Sequence, residues 1–305
     1  MQKLIDSAVA EVGTVLLGKE QQVRLAICCL LAKGHLLIED LPGMGKTTLS
    51  NALARVLGLD YKRVQFTSDL LPADILGVSV FNRDSTEFQF VPGPVFTQVL
   101  LADEINRTTP KSQSALLEAM EEGQVTIDGV TRQLPEPFFV IATQNPATQA
   151  GTYPLPESQL DRFLMRLSLG YPDKTAERQL LMGGESAKKL PQLRNIIAKS
   201  ELIAIQQSVL EVHCSEGLLD YLQRLVEVTR SSADYAVGLS PRGALALLRC
   251  AKTWALMAGR GHVVPEDLQS VLSSVVEHRL STSLDYRADA SGLSQRLLEQ
   301  VDVMA

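Results

Sequence analysis

The segment from residue 35 to 57 constrains this chain more than any other. The apolar run His35-Leu36-Leu37-Ile38 passes through Glu39-Asp40-Leu41-Pro42-Gly43-Met44-Gly45-Lys46 into Thr47-Thr48 and an amphipathic stretch ending at Leu57. A continuous apolar strand, a glycine-bearing turn and a helix, in that order, form the repeating unit of a buried parallel sheet. Gly43 and Gly45 lack a Cβ, so the backbone can curl there with its N–H groups converging beside the positive end of the following helix. Such a turn binds phosphate: Lys46 reaches the β and γ groups, and the Thr47 hydroxyl suits magnesium, a hard cation that takes oxygen ligands. Asp40 stands where the loop pattern G-x-x-x-x-G-K-[ST] has glycine. A carboxylate aimed at a triphosphate would repel it, so the Asp40 side chain is expected to turn away.

The strand–helix alternation continues to about residue 167, predicting an α/β fold with helices on both faces of a parallel sheet. Five strands are expected: His35 to Glu39, Tyr61 to Phe66, Gln98 to Asp103, Phe138 to Thr143 and Leu164 to Leu167, with helices such as Gln21 to Lys33 and Lys111 to Glu122. Gly77 to Phe90 and Gly123 to Leu134 each read as two alternating strands around a polar turn, hence as inserted β-hairpins. After Tyr171-Pro172-Asp173 only helical periodicity remains, near 173–183, 216–230, 241–258 and 265–278, predicting a second, all-helical domain. A length of 305 residues fits two domains.

Composition removes several classes of function. The longest apolar run, Ala26 to Ala32, is far short of the ~20 residues a membrane helix needs, and Asp6 and Glu11 speak against a secretory signal, so a cytoplasmic location is expected. Cys28, Cys29, Cys214 and Cys250 show no C-x-x-C spacing, which predicts buried, reduced thiols. A formal net charge of −6 gives no general attraction for nucleic acid.

Four further segments carry chemistry. Val99-Leu100-Leu101-Ala102-Asp103-Glu104 ends an apolar strand in two carboxylates, at the edge of an open sheet that faces the ligand. Asp103 is read as the magnesium holder and Glu104 as the general base for the attacking water. The strand Phe138 to Thr143 delivers Gln144-Asn145-Pro146 to the same edge, where Asn145 either orients that water or is only a turn residue. In Leu160-Asp161-Arg162-Phe163, Arg162 either places its charge on a neighbouring subunit's γ-phosphoryl group or pairs with Asp161 or Glu157. In Leu239-Ser240-Pro241-Arg242-Gly243, Ser240 caps a helix and Pro241 opens it, so Arg242 is either a phosphate sensor or an ordinary surface arginine. The acidic set Glu118, Glu121 and Glu122, followed by Gly123, reads as a solvated helix end rather than a metal site.

Taken in order, these pieces resemble an AAA+ ATPase, and their wording is similar to the MoxR family. The phrases that carry the likeness are Glu39 to Thr47, Ala102-Asp103-Glu104-Ile105-Asn106-Arg107, Gln113 to Glu122, Ala142-Thr143-Gln144-Asn145-Pro146, and Leu155 to Phe163. The resemblance implies an AAA+ P-loop core at residues 1–171 and a helical lid at 172–305. It also implies that ATP or ADP with Mg2+ is held by Pro42, Gly43, Met44, Gly45, Lys46, Thr47 and Thr48, with Val15 to Glu20, including Gly18, near the adenine. By the same resemblance Asn145 is sensor 1, Arg162 the arginine finger and Arg242 the sensor 2 arginine, acting in its own subunit or in a neighbour. The first hairpin corresponds to the helix 2 insert and the second to the pre-sensor 1 hairpin. Family behaviour further implies a homo-oligomeric ring, a hexamer, that remodels or matures a protein client, metal insertion included, with a von Willebrand A domain partner supplied in trans. Two other readings stay open: a nucleotide-gated scaffold with negligible turnover, and a nucleic-acid motor. The motor is weakened because the hairpins set Arg83 and Arg132 against Asp84, Glu87 and Asp128, so few counterions would be released.

Overall fold

Buried positions Ile5, Ala8, Val9 and Val12, spaced at helical intervals, fold Gln2–Gly13 into α1. The computed structural model describes residues 1–145, 152–182, 189–282 and 292–303, and Pro146 of the Asn145 turn lies outside them. After α1 come α2 (Glu20–Leu31), β1 (Leu36–Glu39), α3 (Lys46–Val56), β2 (Tyr61–Gln65), α4 (Pro72–Leu76), and the hairpin β3 (Gly77–Asn82) and β4 (Glu87–Pro92). Then follow β5 (Val99–Asp103), α5 (Pro110–Glu122), the hairpin β6 (Gln124–Ile127) and β7 (Val130–Gln133), β8 (Phe139–Gln144), α6 (Glu157–Leu160) and β9 (Met165–Leu167).

The five expected strands form one parallel sheet in the order β2-β5-β8-β1-β9. β1 and β5 are apolar throughout except at their last residues, because both faces of the sheet are covered. One face packs under α1, α2 and α3, and the same buried cluster runs on without a break into the C-terminal helices through Leu202, Tyr221, Leu247 and Leu272. The other face, with Leu37, Leu100 and Val140, packs on Leu116 and Leu117 of α5 and on Phe163.

Both predicted hairpins are present, and they touch: the Arg132 guanidinium lies 3.9 Å from the centre of the Phe90 ring. Its Nη1 also donates to the carbonyls of Ile127 and Val130, so Arg132 is engaged within the protein rather than held out from a hairpin tip. The first hairpin is apolar and exposed at Val78, Val80, Phe81, Phe88 and Val91.

The C-terminal part comprises α7 (Lys174–Leu181), α8 (Lys199–Glu211), α9 (Glu216–Ser231), α10 (Pro241–Met257), α11 (Pro265–Val276) and α12 (Leu293–Gln300). It is helical as expected, apart from one short ribbon. Tyr235–Val237 (β10) pairs antiparallel with Ser281–Thr282 (β11), and strands this short carry too little alternation to be read locally. Helix α8 has no counterpart among the expected segments. Its buried stripe of Leu202, Ile205 and Val209 includes Gln206, whose Nε2 donates to the carbonyl of Leu30 at 2.9 Å. Three of the four cysteines follow expectation, Cys28, Cys29 and Cys250 being free and buried with thiol pKa values raised by burial, whereas Cys214 is free but only partly buried.

Candidate active site

β1 ends at Glu39, and within six residues the chain must reverse into α3. Gly43 and Gly45 make that possible with φ of +86° and +93°, a region that strains any residue with a Cβ. Gly45 caps α3, so the helix begins with Lys46 and its free N–H groups open toward the loop. The Lys46 side chain folds back: its Nζ donates to the Asp40 carbonyl and, at 3.2 Å, to Asn145 Oδ1. Burial lowers the Lys46 pKa, while the charges of Asp40, Asp103, Glu104 and Glu39 oppose that shift.

Asp40 turns away from the loop, as electrostatics requires. Its Oδ2 accepts from the backbone N–H groups of Leu169 and Gly170, each at 2.7 Å, and from Ser168 Oγ at 3.2 Å, while Oδ1 accepts from Leu41 N at 2.9 Å. The acid therefore ties the end of β1 to the exit of β9. Asp40→Ala leaves these donors without their acceptor and is expected to cost about 2–3 kcal/mol, measured as a lower urea midpoint.

β5 and β8 lie side by side, with Ala102 opposite Ala142, and this brings their carboxyl ends together. Thr143 Oγ1 donates to Asp103 Oδ1 at 2.6 Å and accepts from the Glu104 backbone N–H at 2.8 Å. Glu104 itself has φ of +57°, left-handed backbone for a residue with a side chain, a conformation that costs about 1–2 kcal/mol and must be held by its surroundings. Its carboxylate is held on three sides: Asn145 Nδ2 donates to Oε1 at 2.9 Å, Gln65 Nε2 donates to Oε2 at 2.9 Å, and Arg107 Nε lies 3.1 Å from Oε2. Asn145 thus bridges Lys46 and Glu104, its carbonyl accepting from the cation and its amide donating to the acid.

Pro42, Gly43, Gly45, Lys46, Thr47, Thr48, Asp103, Glu104 and Asn145 line one hollow of about 330 Å³. The oxygens of Thr47 and Asp103 in that hollow suit a hard divalent cation. Two candidates are not in its lining. Met44 packs against the core, and Gly18 faces the start of α7, where a Cβ would meet Ala176 Cβ at 2.8 Å.

Arg162 and Arg242 lie elsewhere. They line a second hollow of about 730 Å³ with Lys33, Gly34 and His35, the residues that enter β1. Arg162 likewise precedes β9, so this hollow sits at the opposite end of the parallel strands from the loop. A four-residue strand such as β1 separates those ends by about 13 Å. Neither partner considered for Arg162 from the sequence is used. Its Nη1 donates to the Leu117 carbonyl at 2.6 Å and pairs with Glu121 Oε2 at 2.9 Å, whereas Asp161 is taken by the buried Arg279 at 2.6 Å. Arg242 Nη1 pairs with the other oxygen of the same acid, Glu121 Oε1, at 3.1 Å. Glu121 is therefore not simply a solvated helix end, and among the described residues no group of acids, histidines or cysteines is arranged to hold a metal.

Sequence reading missed several residues of the site. Arg63 holds Asp103 Oδ2 through Nη2 at 2.6 Å and Nε at 3.1 Å, and Gln65 holds Glu104. The signal was present: residues two apart on a strand share a face, and Gln65 stands opposite Asp103 in register.

Residues 35–165 match the family described as ATPase family associated with various cellular activities (AAA), and residues 227–300 match an AAA lid domain. The chain is 47% identical to the uncharacterized protein YeaC of Bacillus subtilis over 92% of its own length and 88% of that protein's. It is 40% identical to Chaperone MoxR1 of Mycobacterium tuberculosis, over 93% and 78% of the two lengths. A crystal structure from Cytophaga hutchinsonii, described as a candidate ATPase, superposes with a TM-score of 0.87 at 38% identity, covering 99% of this chain and 95% of that one. A loop, an acid pair and an asparagine in one hollow, a helical lid, and similarity to a named MoxR chaperone over 93% of the chain agree: this chain belongs to the MoxR family of AAA+ ATPases.

Proposed function

We propose that the protein hydrolyses ATP in a homo-oligomeric ring, a hexamer, and uses the cycle to remodel a protein client. The observation that carries this reading is the separation of the two hollows. Lys46, Asp103, Glu104 and Asn145 converge at one end of the sheet, and Arg162 with Arg242 converges at the other. Arg162, fixed in the turn before β9, cannot reach the loop of its own subunit while the sheet is intact, and Arg242 is held beside it through Glu121. A second copy, docked with its arginine hollow against the first copy's loop, supplies them with the sheet intact. We accordingly assign Arg242 as well as Arg162 to the neighbour's nucleotide, with residues 1–171 as the ATPase core and 172–305 as the lid.

In this reading the loop amides and Lys46 bind the triphosphate, and the start of α3 adds its positive end. Magnesium would be held by Thr47 and Asp103 and would neutralise phosphate charge. Arg63, which pairs with Asp103, would release that carboxylate where the metal is held. Glu104 accepts the proton of the attacking water, and Asn145 keeps the Glu104 carboxylate aimed, tied at its other end to Lys46. The arginines of the next subunit stabilise charge on the γ-phosphoryl group as it transfers. Val15 to Glu20, with Gly18, covers the adenine.

The exposed apolar hairpin β3–β4, where Phe88 is 74% accessible, supports a surface for client or partner rather than a solvated loop. The chaperone naming of the MoxR1 relative supports the same direction. A von Willebrand A domain partner in trans and metal loading of a client complex are the finer forms of this proposal. Free buried thiols fit a reducing compartment, and we place the ring in the cytoplasm.

Lys46→Ala is expected to weaken ATP binding at least about tenfold, the worth of one charge-assisted contact to phosphate, as measured with a fluorescent nucleotide. Native mass measurement with ATP, together with a phosphate-release assay, tests the whole reading. Assembly without turnover leaves a nucleotide-gated scaffold and overturns the hydrolytic reading.

A further inference from the structure

The arginine hollow is strongly basic. Lys33, Arg162, Arg242, Arg249, Lys252 and Arg279 line it, against the acids Glu121 and Asp161. Asp161 is occupied by Arg279, which also donates to the carbonyls of Phe163 and Leu164. Among the described residues Glu121 is therefore the one acid of the lining left for Arg162 and Arg242, and it serves both, one carboxylate oxygen to each.

We infer that Glu121 is a positioning residue: it assembles Arg162 and Arg242 into a single phosphate-receiving pair without touching the nucleotide. Three segments distant in sequence meet on this carboxylate: the end of α5, the turn before β9 and the first turn of α10. Without the negative charge, two guanidiniums would face each other in a hollow already rich in cations, and each would move away. The geometry also leaves the pair open. Glu121 and the Leu117 carbonyl engage only Nη1 of Arg162, and Glu121 engages only Nη1 of Arg242. Nη2 and Nε of both arginines have no hydrogen-bond partner among the described residues, so two planar forks stand ready for phosphate oxygens. Glu121 stands three residues before Gln124, where the second hairpin begins. The arginine pair is thus anchored at the base of that hairpin.

This inference rests on the trans reading above, and steady-state phosphate release separates the two. Glu121→Gln keeps the volume and one carbonyl acceptor but removes the charge. The expected result is a fall in kcat of about tenfold with KM for ATP within about twofold, because ATP is held by the unaltered loop of its own subunit. Since partly exposed ion pairs contribute little to folding, Tm should not move. In the double variant Glu121→Gln with Arg162→Ala, the further loss beyond Arg162→Ala should be smaller than the loss in Glu121→Gln alone, because only Arg242 is then left for Glu121 to act through. Wild-type kcat in Glu121→Gln, a fall in kcat accompanied by a lowered Tm, or a double variant slower than Arg162→Ala by the same factor as the single change would each overturn it while leaving the trans reading standing. Undiminished turnover in Arg162→Ala would overturn both.

Discussion

Arg162→Ala should lower phosphate release by about 10³-fold or more, the usual worth of an arginine that meets the transferring phosphoryl group from outside its own subunit. Binding of ATP should change little, since Arg162 lines a hollow at the far end of the sheet from Lys46 and the loop. The decisive experiment mixes inactive proteins. Arg162→Ala subunits retain an intact loop, and Lys46→Ala subunits retain an intact arginine pair. Where the first presents its loop to the second, a complete site re-forms. Recovery of turnover on mixing, absent from either protein alone, is the expected outcome, and mixed rings that stay inactive would exclude action in trans. The same design with Arg242→Ala asks whether the lid arginine belongs to the same interface, as its shared contact with Glu121 requires.

Glu104→Gln is expected to reduce turnover by about 10²–10⁴-fold, the contribution of a positioned general base, while ATP remains bound. The amide keeps the volume of the acid but cannot take a proton from water. It also disturbs the network in a defined way, because Asn145 Nδ2 and Gln65 Nε2 both donate to this carboxylate and an amide offers only one oxygen to them. A loss smaller than about tenfold in single-turnover assays would remove Glu104 from the role of base. Binding of ATP weakened along with turnover would instead point to collapse of the link through Asn145 to Lys46.

Much of the core was legible because its signals are local. β1 is an apolar run that leads into the loop and β5 one that ends at Asp103 in the lining of the same hollow, and the expected strands agree with the structure to within one residue at each end. Helix α10 begins where Ser240-Pro241 says it should, since proline at the first helical position gives up an N–H that has no partner there anyway, and α11 begins where the helical periodicity near 265 starts. Helix α8 was missed although its stripe is present, since one buried glutamine breaks the apolar count and its partner, the Leu30 carbonyl, lies far away in sequence. The β10–β11 ribbon escaped for a related reason: its two strands lie in separate parts of the lid and neither is long enough to announce itself.

The parallel sheet, the phosphate loop, the acid pair after β5 and the asparagine after β8 were legible residue by residue, because each depends on backbone preference and burial within a short stretch of chain. The sequence also required that Asp40 turn away, since a carboxylate facing phosphate is repelled wherever it stands. Where Asp40 goes, to the amides of Leu169 and Gly170, depends on long-range packing. The same holds for the partners of the arginines. Nothing near Arg162 or Arg242 in the sequence names Glu121, and the nearest acid, Asp161, goes to Arg279. Those pairings follow from a strand order that sets β1 between β8 and β9 and lays α5 beneath Phe163. Charged side chains take the partner that packing brings within reach, and at these distances along the chain only the fold decides which one that is.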